Sequence, residues 1–116
     1  MKKDLFAEID RLQAELISMS DRIFDKPELG FKENFAVELL TRFLSKHAFT
    51  IKRPLGSLFT AFKAEYSFGN GNGPHIGLLC EYDALEKIGH ACGHQMQGPC
   101  ICAAAIALKN NLPDNT

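Results

Sequence analysis

The apolar residues Leu5, Ile9, Leu12, Leu16, Met19 and Ile23 recur at alternating steps of four and three. That period lays them along one stripe of a helix and leaves Lys3, Glu8, Arg11 and Glu15 for the solvent side. Lys26-Pro27-Glu28-Leu29-Gly30 closes this helix, because proline disfavours helical backbone in the residue before it. A second helix is predicted from about Glu33 to His47, with Ala36, Leu40, Phe43 and Leu44 turned inward.

Beyond His47 the period shortens. Phe49 to Arg53 reads as a strand, Pro54 to Ser57 as a turn, and Leu58 to Tyr66 as a second strand rich in aromatic and small residues. The glycine-rich stretch Gly69 to Pro74 is a surface turn, too short to separate domains. His75-Ile76-Gly77-Leu78-Leu79-Cys80 is a nearly unbroken apolar run, the pattern of a strand buried on both faces. A loop from Glu81 to His94 leads to a third helix over about Gln97 to Asn110, stopped by Leu112-Pro113-Asp114. Pro99 fits only the first turn of that helix, since an interior proline removes a hydrogen bond and clashes with the preceding turn.

The expected order is therefore α-α-β-β-β-loop-α, an α/β layered sheet with flanking helices. Three strands make a small sheet, so the pattern predicts an incomplete domain that continues past Thr116.

Bulk composition narrows the partners. The 116 residues are 46% hydrophobic and 23% charged, and the net charge of −1 supplies no attraction for nucleic acid or an anionic membrane. The opening MKKDLFAEIDRL mixes both signs of charge where a secretory signal needs an apolar run. No segment reaches the roughly 20 apolar residues that span a bilayer, and a cytoplasmic location is expected. The four cysteines, Cys80, Cys92, Cys100 and Cys102, match no zinc-ribbon or disulfide spacing and are expected as free thiols. Cys80, Cys100 and Cys102 read as packing residues, His47 and His75 as surface or strand-edge residues. Phe35, Phe43, Phe49, Phe59 and Phe62 read as core.

The chemistry is concentrated between Glu81 and His94, where Glu81, Asp83, His90, Cys92 and His94 follow the apolar run. Loops at the ends of α/β strands are where ligands usually bind. Cys92 and His94 bracket Gly93, whose backbone freedom allows both side chains to converge. A divalent metal beside a thiol favours the thiolate, so ligation and deprotonation support each other. Asp83 can accept a hydrogen bond from a ligating imidazole and fix its tautomer. Spacing alone leaves open a structural thiol beside a surface histidine.

EYDALEKIGHACGHQ resembles the EYDALPGIGHACGHN signature of a metallopeptidase family that contains aminoacylases, carboxypeptidases and p-aminobenzoyl-glutamate hydrolases. PELGFKENFAVELLTRFL is similar to that family's PELGF-x-E passage and second helix, and GSLFTAFKAEY with HIGLLCEYDAL to its second and third strands. The resemblance implies that residues 1–116 are the N-terminal portion of the catalytic domain, with the rest of that domain and a dimerisation domain lying beyond it. It implies metal ligation by Cys92 and His94, an orienting Asp83 beside them, and a pocket wall of Glu81, Tyr82 and His90. The implied cofactor is a divalent ion, zinc or manganese. The implied reaction is hydrolysis of an amide bond beside a free carboxylate, in an N-acyl amino acid, a dipeptide or an aminobenzoyl-glutamate. The partner is then a small-molecule amide, the full-length protein a homo-oligomer, and the isolated chain inactive for want of the family's glutamate pair. A small non-catalytic metal- or thiol-binding module and a plain structural fragment are the alternatives. Glu86-Lys87 departs from the family's Pro-Gly, which puts the path of the loop in question, and Gln95 replaces Asn.

Overall fold

The computed structural model describes residues 2–113. Helix α1 spans Lys2–Asp25 and α2 Asn34–Lys46; strands β1 (Thr50–Lys52) and β2 (Lys63–Glu65) follow, and α3 covers His94–Asn111. The architecture is the mixed α/β arrangement that the pattern predicts, three helices with one small sheet. Asp114, part of the expected stop after the third helix, lies outside the described residues.

The stripe on α1 buries Leu12, Met19 and Ile23, with Leu5, Ile9 and Leu16 half-buried around them. Ala36, Leu40, Phe43 and Leu44 of α2 are all buried, as their spacing requires, and Cys102 and Ile106 of α3 complete one core. Helix α1 lies chiefly along α3, and α2 packs against α3 and β1. The strands are antiparallel, pairing Thr50 with Glu65, Ile51 with Ala64 and Lys52 with Lys63. Ile51 and Ala64 face the core while their neighbours face solvent, the alternation of a sheet covered on one side. Among the described residues, no helix is long and apolar enough to cross a membrane.

Several local expectations are corrected. The apolar run 75–80 is not a strand, and Ile76 and Leu79 are 69% and 91% exposed. Its composition suits burial on both faces, yet β1 and β2 pair only with each other, so no described strand lies beside it. The second strand is shorter than expected, because Leu55 and Leu58 pair across a tight turn. Phe59 and Cys100 are exposed, not packed; Cys100 sits two residues from the buried Cys102 and so on another side of α3. Helix α3 begins at His94, which places Pro99 in its second turn. That proline forgoes one backbone bond, at a typical cost of about 3 kcal/mol for an interior position. It is buried together with Gly98, and a Cβ on Gly98 would come within 2.7 Å of Leu40 Cδ1. Small and rigid residues here let α3 approach α2 closely.

Candidate metal centre

The site begins with the turn after α1. Glu28 reaches across it, its two carboxylate oxygens accepting the backbone N–H groups of Phe35 and Ala36 at 2.9 Å each. Those are donors at the start of α2 that have no partner inside the helix, and Glu33 at the N-cap does not serve them with its own side chain. The Glu28 carbonyl also accepts the Ala84 N–H at 2.7 Å. One residue thus ties α2 to the loop that carries Asp83.

Asp83 fixes His94, the first residue of α3. His94 Nδ1 lies 2.8 Å from Asp83 Oδ1 and 3.1 Å from the Asp83 carbonyl oxygen. Both are acceptors, so Nδ1 carries the proton and Nε2 is left with its lone pair. Nε2 faces Glu81 Oε2 at 3.4 Å. A lone pair and a carboxylate oxygen at that separation are held together by a cation or a proton between them. The donor atoms of Glu81, Asp83 and His94 all lie within 4.8 Å of one another, a group able to hold a metal ion. One imidazole with two carboxylates is a donor set that suits zinc or manganese. The Glu81 N–H is held in turn by Gln97 Oε1 of α3 at 3.1 Å.

The other expected residues take different places. Cys92 is exposed and stands outside this trio, one residue before the left-handed Gly93 (φ 85°) that opens α3. His90 is 5% exposed, stacked on Phe24 at 6.4 Å between ring centroids, with neither ring nitrogen bonded. Burial, and then the neighbouring His94, hold its pKa below the ordinary imidazole value, against the pull of Asp83. Tyr82 donates its hydroxyl to the Thr60 carbonyl, and burial pushes its pKa well up, so it remains a phenol. Thr60 in turn donates to Glu33 Oε2 at 2.5 Å. Glu28, Glu33 and Thr60 carry no site expectation from the sequence. The only signal for the two acids is the PELGF-x-E passage, which marks a resemblance and assigns neither of them a task.

No family model matches the chain. It is 37% identical over 114 residues to a Xaa-Arg dipeptidase of Homo sapiens, covering 90% of this chain and 26% of that protein. It is 39% identical over 108 residues to one of the subunits of the p-aminobenzoyl-glutamate hydrolase of Escherichia coli, covering 78% and 22%. Over these stretches the chain is similar to amidohydrolases and peptidases, in agreement with the motif resemblance. A hippurate hydrolase of Campylobacter jejuni, 28% identical over 116 residues, covers 88% of the chain and 30% of its own length. The chain therefore spans about a quarter of the length of these relatives. Where the family motif has Pro-Gly, Leu85 and Gly89 exchange backbone hydrogen bonds at 2.9 and 3.1 Å and close a tight loop around Glu86-Lys87. Lys87 occupies the left-handed region (φ 67°) that a glycine takes without strain. The substitution loads this amidohydrolase loop with strain and leaves it closed.

Proposed function

We propose that this chain supplies the N-terminal part of the catalytic domain of a metal-dependent amidohydrolase acting on an amide bond beside a free carboxylate. N-acyl amino acids, dipeptides and aminobenzoyl-glutamates are the substrate types. The observation that carries the reading is His94, its Nδ1 engaged by Asp83 and its Nε2 directed at Glu81. His94 and Glu81, joined by Cys92 two residues before His94, are the proposed ligands of zinc or manganese, Asp83 holds the imidazole in the ligating tautomer, and Tyr82 and His90 form the pocket wall. A bound divalent ion supplies carbonyl polarisation and activation of water. Asp83 keeps the His94 proton on Nδ1, and His90, buried and neutral, adds no positive charge against a cation. A cytoplasmic, self-associating full-length protein belongs to the same reading.

The test has two parts. Zinc titration of the purified chain by calorimetry should show one site, weakened at least about tenfold by His94→Ala, since loss of a group that merely orients a ligand already costs about 10–100-fold. A chimera in which these residues replace the corresponding stretch of the Escherichia coli hydrolase should hydrolyse aminobenzoyl-glutamate, and the His94→Ala chimera should not. Zinc affinity indifferent to His94 would refute the ligand assignment. Equal turnover by both chimeras would refute the catalytic one.

A further inference from the structure

Away from the metal centre, α1 and α2 face each other across a groove of about 220 Å³. Residues 15, 18, 19 and 22 of α1 line one side, and residues 39, 42, 43 and 46 of α2 the other. Both sets step along a helix by three, one and three, so each presents a single stripe. Met19 and Phe43 are buried beneath the groove, and its rim is charged. Among the lining residues Arg22, Arg42 and Lys46 meet one carboxylate, Glu15, in a chain whose net charge is −1. The carboxylates within reach are already divided. Glu38 takes Arg42 with one oxygen at 2.9 Å and Arg53 with the other at 2.6 Å, and Glu15 takes Lys46 at 3.3 Å. Arg22 and Lys26 are left over: among the described residues, no ion pair includes either. They share the Phe35 ring instead, the guanidinium carbon 5.5 Å and the ammonium 4.8 Å from its centroid. Like charges one helical turn apart repel, and an aromatic ring attracts cations without neutralising them.

We propose that this groove binds a phosphorylated small molecule, its phosphate or diphosphate group held between Arg22 and Arg42, with Lys46 and the Ser18 hydroxyl as further donors. Two guanidinium forks from facing helices suit the oxygen geometry of a phosphate, and an ammonium adds a point charge. A dianion also answers the excess positive charge, part of which a monocarboxylate would leave. The volume lies below the usual range of ligand pockets and admits the anionic group with only a small body attached. Exposed ion pairs are weak, so Lys46 can leave Glu15 and Arg42 can turn from Glu38 as the anion arrives. The bound group joins α1 to α2, which each pack more extensively on α3 than on one another. None of these residues belongs to the metal centre, so the site stands apart from the amidohydrolase reading.

The probe is inorganic pyrophosphate, titrated by calorimetry into the purified chain in metal-free buffer at constant ionic strength, beside orthophosphate and sulfate. Amide NMR shifts at Ser18, Arg22 and Arg42 give the location. Pyrophosphate should bind about tenfold more tightly than sulfate, and Arg22→Gln and Arg42→Gln should each weaken it at least about tenfold. Both arginines are exposed, so neither change threatens the fold. Lys3→Gln removes the same charge from the exposed start of α1, beyond the screening length, and should alter affinity less than about twofold. Saturating pyrophosphate should raise the Tm of the wild type and leave that of Arg22→Gln in place. Absence of binding overturns the proposal, as does equal binding of sulfate. An equal loss in Lys3→Gln overturns it too, since attraction to charge alone would then account for the affinity. Shifts confined to residues 81–94 would place the anion at the metal centre and refute the groove.

Discussion

Replacing Glu28 by Ala removes a capping device that sits six residues before the helix it caps. Its carboxylate closes two backbone donors of α2, those of Phe35 and Ala36, at 2.9 Å each. A lost cap costs about 0.5–2 kcal/mol in typical cases. Here the cost should lie at or above the top of that range. Ala36 is buried, so water cannot take over its N–H, and an orphaned buried donor costs about 1–3 kcal/mol by itself. The carboxylate also faces the positive end of the helix dipole, worth about another 0.3–1 kcal/mol. A total of about 2–3 kcal/mol is expected, allowing for overlap between these terms. For a chain of 116 residues, typical unfolding entropies convert each kcal/mol into about 4 °C, so Tm should fall about 8–12 °C. Glu28→Gln keeps one acceptor but presents an amide N–H₂ toward the second donor, and should fall between wild type and Ala. Thermal melts by circular dichroism measure this directly, with Lys32→Ala as an exposed control from the same turn. A Glu28→Ala protein that melts together with that control would mean that the start of α2 is satisfied some other way.

Lys87→Gly should stabilise the chain by up to about 1 kcal/mol by relieving the left-handed backbone at that position, read as a rise in the denaturation midpoint. Gly98→Ala gains helix propensity but drives a methyl group into Leu40, so a net loss of about 1–2 kcal/mol is expected in urea unfolding. His47 is packed edge-on against Phe43, and burial, the dominant cause, holds its pKa below 6.5. The unfolded chain then binds the proton more readily, so this contribution is complete above about pH 6.5 and is lost as pH falls through the lower native value. Tm should drop between about pH 7 and about pH 5.5, less steeply in His47→Gln. Asp83→Asn should weaken zinc binding about 10–100-fold while leaving Tm within a few degrees, because it disturbs the tautomer of His94 without touching the core.

The helices are legible in the sequence because each rests on a local rule. The stripe from Leu5 to Ile23 and the positions 36, 40, 43 and 44 need only a period of about 3.6 and a stop at Pro27, and the core residues fall where the period puts them. The run 75–80 misleads for the opposite reason. An apolar composition states what a segment requires, two covered faces, but says nothing of which segments provide them, and the only described strands are three residues long. Pro99 misleads at shorter range. The rule against interior proline is a cost of a few kcal/mol, and close packing of Gly98 against Leu40 accompanies it in a helix that starts five residues earlier. Within the candidate site, Asp83 and His94 are legible through the motif. Glu81, expected in the pocket wall, faces the His94 nitrogen. Glu28 and Glu33 are invisible as working groups because their partners lie seven and twenty-seven residues away, beyond any helical or strand period.

The absence of strand pairing at 75–80 bears on how the trio of donors is kept together. In an α/β layer the loop after a central strand is normally held by the sheet beneath it. Here Glu81, Asp83 and His94 are positioned instead by contacts from the loop's far side: Glu28 on the Ala84 N–H, Gln97 on the Glu81 N–H, Thr60 on the Tyr82 hydroxyl, and the Leu85–Gly89 pair that closes the turn. Tethers drawn from the turn before α2, from α3 and from the 58–61 turn can hold a loop without a strand, provided the elements supplying them are themselves rigid. That condition gives Glu28 its weight, because it secures the start of α2 and the Asp83 loop together. A substitution that loosens this residue should therefore lower zinc affinity as well as stability, although no atom of Glu28 belongs to the donor set. Measuring both in Glu28→Ala, below its melting temperature, separates the two effects. Reduced zinc affinity in a protein still folded would establish that the loop depends on the turn. Unchanged affinity would show that Gln97, Thr60 and the Leu85–Gly89 pair suffice.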